Sequence, residues 1–168
     1  MAQENQNWDK VLELFFEHPS KSFTVREISR KTRVPTSTVQ RYLKQLKREN
    51  LIDKSNTPNI TFYFKFKKTF FMLDKIFESG LIEYLEENLK SSAIVIFGSA
   101  RKGEYAWDSD IDMFIESVSN KKIDLKDFEK KLKHKIQLFI KKDINELPPD
   151  LLNNVINGIK LGGYLRIK

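Results

Sequence analysis

The segment from Ala93 to Glu116, AIVIFGSARKGEYAWDSDIDMFIE, constrains this chain more than any other. It opens with the apolar run Ala93–Phe97, breaks at Gly98-Ser99, and ends with Asp110-Ile111-Asp112 followed by Met113-Phe114-Ile115. Both apolar runs are rich in β-branched and aromatic residues, so both read as buried strands. Aspartates one residue apart on a strand point to the same face, because side chains alternate along it. Two like charges held that close repel, and burying them unpaired is costly. A divalent cation is the simplest partner, and hard carboxylate oxygens suit Mg2+ held together with substrate phosphates. Gly98 allows a close approach of backbone to ligand, and Ser99 offers donors to a phosphate.

These residues resemble the signature of the DNA polymerase β-like nucleotidyltransferase superfamily, and within it the minimal nucleotidyltransferases of bacteria and archaea. The family pattern is Gly-Ser, ten residues, then Asp-x-Asp, usually as Ser-Asp-Ile-Asp. Here Gly98-Ser99 is followed by the ten residues Ala100 to Ser109 and then Asp110-Ile111-Asp112. Gly103-Glu104 falls where the family commonly has Gly-Glu. The resemblance implies an NTP as substrate or ligand, Mg2+ as cofactor, and Asp110 and Asp112 as the catalytic, metal-binding pair. It implies nucleotide binding by Gly98, Ser99, Lys102 and Ser109.

The family also carries a third carboxylate on a third strand, which helps hold two Mg2+ ions and activate the attacking hydroxyl. The matching strand is expected at 135–140, KIQLFI, where the polar position facing the pair is Gln137. Glutamine is neutral and a poor ligand for a catalytic ion. The nearest acids, Glu129 and Asp143, fall at helix and strand-end positions. Losing one carboxylate leaves nucleotide and one-metal binding possible while weakening chemistry that relies on charge neutralisation and in-line positioning.

Upstream, Trp8 to Glu17 shows helical periodicity that ends at His18-Pro19. Thr24 and Glu27 form a capping-box pattern for a second helix. Thr32-Arg33-Val34-Pro35 reads as a turn, and Thr36 or Ser37 is expected to cap a third helix running to about Asn50. Leu51-Ile52, a turn at 55–59, and the alternating run Ile60–Phe66 predict a β-hairpin. The stretch FTVREISRKTRVPTSTVQRYLKQLKRENLI resembles the winged helix-turn-helix domains of prokaryotic transcription regulators. Between Lys21 and Lys54 there are ten Lys/Arg against three acids, a net of +7 that equals the chain's whole excess of positive charge. Double-stranded DNA is the expected partner, with Thr36, Ser37, Thr38, Gln40, Arg41 and Lys44 presented to it.

The expected organisation is α+β: a winged helix-turn-helix over 1–66, a connecting or dimerising helix over 67–90, and a small mixed-sheet nucleotidyltransferase-like domain over 91–168. In the last of these, a final helix starting near Pro149 is expected to run past Ile159 until Gly162-Gly163 ends it. His18 and His134 show no metal-ligand spacing and are expected at the surface. Trp107 is expected to pack rather than stack on a base.

The chain has 168 residues, 30 basic and 23 acidic, a net charge of +7, and no cysteine. Disulfides and thiolate metal sites are therefore excluded. The polar N-terminus and the absence of a long apolar run predict a cytoplasmic protein without a membrane partner. Two functions fit. One is Mg2+-dependent nucleotidyl transfer to an acceptor, with the resemblance extending to antitoxins that adenylylate a toxin-like protein partner. The other is a DNA-binding transcriptional regulator whose nucleotidyltransferase-like domain is a non-catalytic nucleotide sensor or protein-interaction module. A homodimer is compatible with either, and modification of a nucleic-acid end is a third reading.

Overall fold

The computed structural model describes residues 2–167, and the side chains from residue 6 onward. The chain divides into two compact units, residues 1–68 and 69–168. Residues 69–90, read from sequence as part of a separate connector, group with the second unit. Among the described residues no helix is long and apolar enough to cross a membrane.

The first unit is built on α1 (Ala2–Glu17), α2 (Val25–Thr32) and α3 (Thr36–Arg48). Val11, Phe15, Phe16, Ile28, Val39 and Leu46 are buried at helical spacing and form its core. Edge-to-face ring pairs join Phe15 to Phe23 at 5.8 Å and Trp8 to Tyr42 at 5.1 Å. The capping box at α2 is complete: Thr24 accepts from the Glu27 amide, and the Glu27 carboxylate accepts from the Thr24 amide at 2.8 Å. Arg33 makes the tight turn in the left-handed region, φ 59°, and Ser29 Oγ donates to Val34 O across it. The expected side-chain cap of α3 is not found. Pro35 occupies the N-cap position, Thr36 already begins the helix, and no side chain caps it.

After α3 the chain makes a small hairpin. Ile52 and Pro58 form a single bridge, and the Asp53 amide donates to Thr57 O at 2.8 Å. The expected second strand, Ile60–Phe66, is instead the start of α4 (Phe62–Ser79). The alternation of aromatic residues suggested a strand, yet only Phe64 of Phe62, Phe64 and Phe66 is buried. The buried positions Phe64, Met72 and Ile76 recur in multiples of four, which is helical spacing.

In the second unit, α4 stops at Ser79-Gly80, where Gly80 takes φ 80° and α5 (Leu81–Leu89) begins. A four-stranded mixed sheet follows: β1 (Ala93–Phe97), β2 (Ile111–Glu116), β3 (Ile136–Lys141) and β4 (Ile159–Gly163), in the order β3-β2-β1-β4. Between strands lie α6 (Gly98–Lys102), α7 (Lys126–Leu132), a 3-10 turn (Ile144–Glu146) and α8 (Pro149–Ile156). β1 runs antiparallel to both neighbours, while β2 and β3 are parallel with α7 in the crossover. Every residue of β1 is buried, so both sheet faces are covered; Val95, Phe97 and Phe114 pack with Leu147 and Val155 on one of them. The last helix is shorter than its apolar pattern suggested. It ends at Ile156, and Ile159–Gly163 is a strand against β1. Gly158 is the reason: a Cβ there would stand 2.7 Å from Ile96 O, so only glycine lets the chain turn this close to β1.

Candidate functional site

The antiparallel pairing of β1 and β2 places Phe97 opposite Asp112. The next residue, Gly98, turns the chain into α6 with φ +68°, a left-handed conformation that favours glycine. The Asp112 side chain fills the space over Gly98. An added Cβ would overlap its carboxylate and stand 3.1 Å from its Cγ. The two halves of the sequence signature, Gly-Ser and Asp-x-Asp, therefore meet here.

Asp112 is half-buried and Asp110 is exposed. Burial, and then the charge of Asp110, push the Asp112 carboxyl above the ordinary aspartate range. Such a pair fits a cation, which would relieve both causes.

A second cation is a different matter. The parallel register of β2 and β3 sets Gln137 directly beside Asp112, and Gln137 is exposed. Among the described residues, no group of three or more histidines and acids is placed to hold a metal ion. The two acids that flank β3 are committed elsewhere. Glu129 accepts from the Ile136 amide at 3.1 Å and from Lys135 Nζ at 3.2 Å, and these partners, the amide first, hold its pKa down. Asp143 accepts from the Asn145 amide at 2.9 Å and caps the 3-10 turn. The residues present thus fit one divalent cation at Asp110 and Asp112 and not the two-ion site of the family.

The other expected nucleotide contacts are spread more widely. Ser99 is half-buried in the first turn of α6, and Lys102 is exposed at its end, beside Arg101. The Ser109 hydroxyl is already engaged: it accepts from the Ala106 amide at 2.8 Å and closes the 106–109 turn. Trp107, at the tip of that turn, is 63 % exposed, so the expectation that it packs is overturned.

His134, expected at the surface, is buried instead. It is 5 % exposed, its Nδ1–H donates to Ser109 O at 2.7 Å, and Tyr105 meets its ring edge-on. It braces the loop that delivers Asp110. Nothing local in a lysine-rich segment signals this, because its partners lie twenty-five and more residues upstream. His18, likewise expected at the surface, is half-buried beside Phe23, and burial foremost lowers its pKa.

In the first unit, Thr36, Ser37, Gln40, Arg41 and Lys44 are exposed on α3, and Thr38 is half-buried. Arg41 lies over the Tyr42 ring at 5.5 Å, which orients its guanidinium.

A helix-turn-helix unit followed by a small mixed sheet with an aspartate pair defines a protein that joins a DNA-binding fold to a nucleotidyltransferase fold. The chain belongs to the nucleotidyltransferase domain family, whose model matches residues 78–167. Residues 10–55 match the IclR helix-turn-helix domain. No match to the chain is found among curated proteins or solved structures.

Proposed function

We propose that this protein is a DNA-binding regulator that senses a nucleotide through a nucleotidyltransferase fold with weakened transfer chemistry. The observation that carries this reading is the register pair of Asp112 with Gln137. Asp110 and Asp112 retain the charge to hold one Mg2+ against NTP phosphates. Gly98 and Ser99 offer the approach for the terminal phosphates, and Lys102 adds a cation at the end of α6. Bound there, the ion supplies charge neutralisation to the phosphates. At the third position, a neutral amide can donate or accept hydrogen bonds but adds no negative charge to hold a second ion or take a proton from an attacking hydroxyl.

The test is a titration of ATP, GTP, CTP and UTP with and without Mg2+, run beside a label-transfer assay. The expected result is Mg2+-dependent binding that Asp110→Ala/Asp112→Ala abolishes, with little transfer. Gln137→Asp should add transfer by restoring a third carboxylate beside the pair. Robust transfer by the unaltered chain would sink the sensor reading.

A second reading is favoured by the intact contact of Gly98 with Asp112. In it the protein still transfers a nucleotidyl group, and the acceptor is a toxin-like protein partner. Label appearing on the product of a neighbouring gene, in the presence of Mg2+ and NTP, would select that reading.

A further inference from the structure

α7 and the start of β3 carry a basic feature that neither reading uses. Residues 121–142 hold nine lysines against three acids, a second concentration of positive charge in addition to that of the helix-turn-helix sequence. Lys126 and Lys130 are four apart on α7, and Lys133 follows at its C-cap, so all three share one face. Together with Glu129, His134 and Lys135 they line an open cavity of about 430 Å³. Glu129, the one acid in this wall, is already taken by the Ile136 amide and Lys135. Lys126, Lys130, Lys133 and Lys135 give this lining an excess of positive charge that suits an anion.

The cavity is tied to an exposed aromatic ring. Ser109 O accepts from His134 in the cavity wall, and Ser109 closes the turn that displays Trp107. An indole left 63 % exposed on a braced turn is a stacking platform. The cavity also lies at the sheet end that carries the aspartates, since the Ile111 amide donates to Lys135 O at 2.8 Å.

We propose that this cavity binds the phosphate backbone of a single-stranded nucleic acid, with Trp107 stacking on one of its bases. Lysines that track phosphates beside an aromatic platform are the general means of holding an unpaired strand. A duplex hides its base faces within the stack, so the exposed indole favours a single strand. The site uses neither Asp110 nor Asp112 and stands whether or not transfer occurs.

The test uses the full chain carrying Arg41→Ala/Lys44→Ala, which reduces the contribution of the helix-turn-helix. A labelled single-stranded hexanucleotide, as DNA and as RNA, is titrated by fluorescence anisotropy. Adding Lys126→Glu/Lys130→Glu should weaken binding about tenfold or more and flatten the salt slope by about 1.4, roughly 0.7 for each of the two lysines. Trp107→Ala should weaken it about fivefold or more. Mg2+–ATP affinity should stay within about twofold in the lysine variant, a separate readout from the fate of the nucleotide-sensor reading. A hexamer containing 5-iodouridine should crosslink to Trp107 in the chain with its cavity unaltered. Hexamer affinity indifferent to both sets of changes would overturn the proposal. So would inorganic tripolyphosphate binding as tightly as the hexamer with no effect of Trp107→Ala, which would assign the cavity to free polyphosphate. Equal loss of ATP and hexamer would merge the cavity with the nucleotide site and overturn it as well.

Discussion

At the scale of single residues, Gly98 and Asp112 set the limits on this site. Gly98 combines φ +68° with a carboxylate where its Cβ would go. Gly98→Ala therefore carries a backbone penalty of about 1–2 kcal/mol for the left-handed conformation and also displaces Asp112. We expect a lower melting temperature for the second unit, by about 4–8 °C per kcal/mol for a unit of this size, and loss of Mg2+-dependent nucleotide binding. Normal nucleotide affinity in a folded Gly98→Ala chain would remove Asp112 from the site. Asp112 also makes a pH prediction. Its raised pKa means that the folded state holds the proton more tightly than the unfolded chain. The penalty for ionising it is absent below the ordinary aspartate pKa, grows as pH rises toward the folded value, and is complete above it. Without divalent cations, Asp112→Asn should melt higher than the unaltered chain at neutral pH, and the gap should close in acid. Thermal melts at the two pH values check this. Gln137 was legible from sequence because a two-residue repeat fixes which strand position faces the pair. His134 was not, since its role depends on a loop brought to it by the fold.

At the scale of elements, signals that local chemistry dictates were readable, and those decided by tertiary burial were not. The Thr24–Glu27 box is a local device, and it forms as expected. Thr24→Ala should cost about 1 kcal/mol of stability in the first unit, visible as a lower urea midpoint. The Thr24 amide, and then its hydroxyl, lower the Glu27 pKa. This cap therefore contributes fully above the ordinary glutamate pKa and is lost as pH falls through the lowered folded value. The difference between Thr24→Ala and the unaltered chain should accordingly shrink in acid. The run Ile60–Phe66 misled because aromatic residues occupy both faces of α4. Phe62 is 95 % exposed while Phe64 is buried, so apolar identity there does not report burial. The fourth strand was hidden for a related reason. Ile159 continues the apolar spacing of α8, and only the packing of Gly158 against β1 reveals that the helix has ended.

At the scale of the whole molecule, charge is partitioned rather than diffuse. Residues 21–54 and 121–142 are both strongly basic, and the rest of the chain is net acidic. A net charge of +7 alone says little about a partner, whereas its concentration on two elements suggests where polyanions dock. For the helix-turn-helix, the exposed residues of α3 make a quantitative case. Each lysine or arginine contact to duplex phosphate releases counterions and steepens the dependence of affinity on salt by about one in the log–log slope. Arg41→Ala and Lys44→Ala should each flatten that slope by about this amount when the chain binds DNA from its own promoter. Gln40→Ala should behave differently. A residue that reads base edges lowers the preference for the promoter over unrelated duplex, with the slope unchanged. Anisotropy titrations at several salt concentrations, with both duplexes, separate the two effects. Binding that ignores salt, or slopes that stay the same in Arg41→Ala and Lys44→Ala, would place the duplex on some other surface and leave α3 as a solvated basic helix.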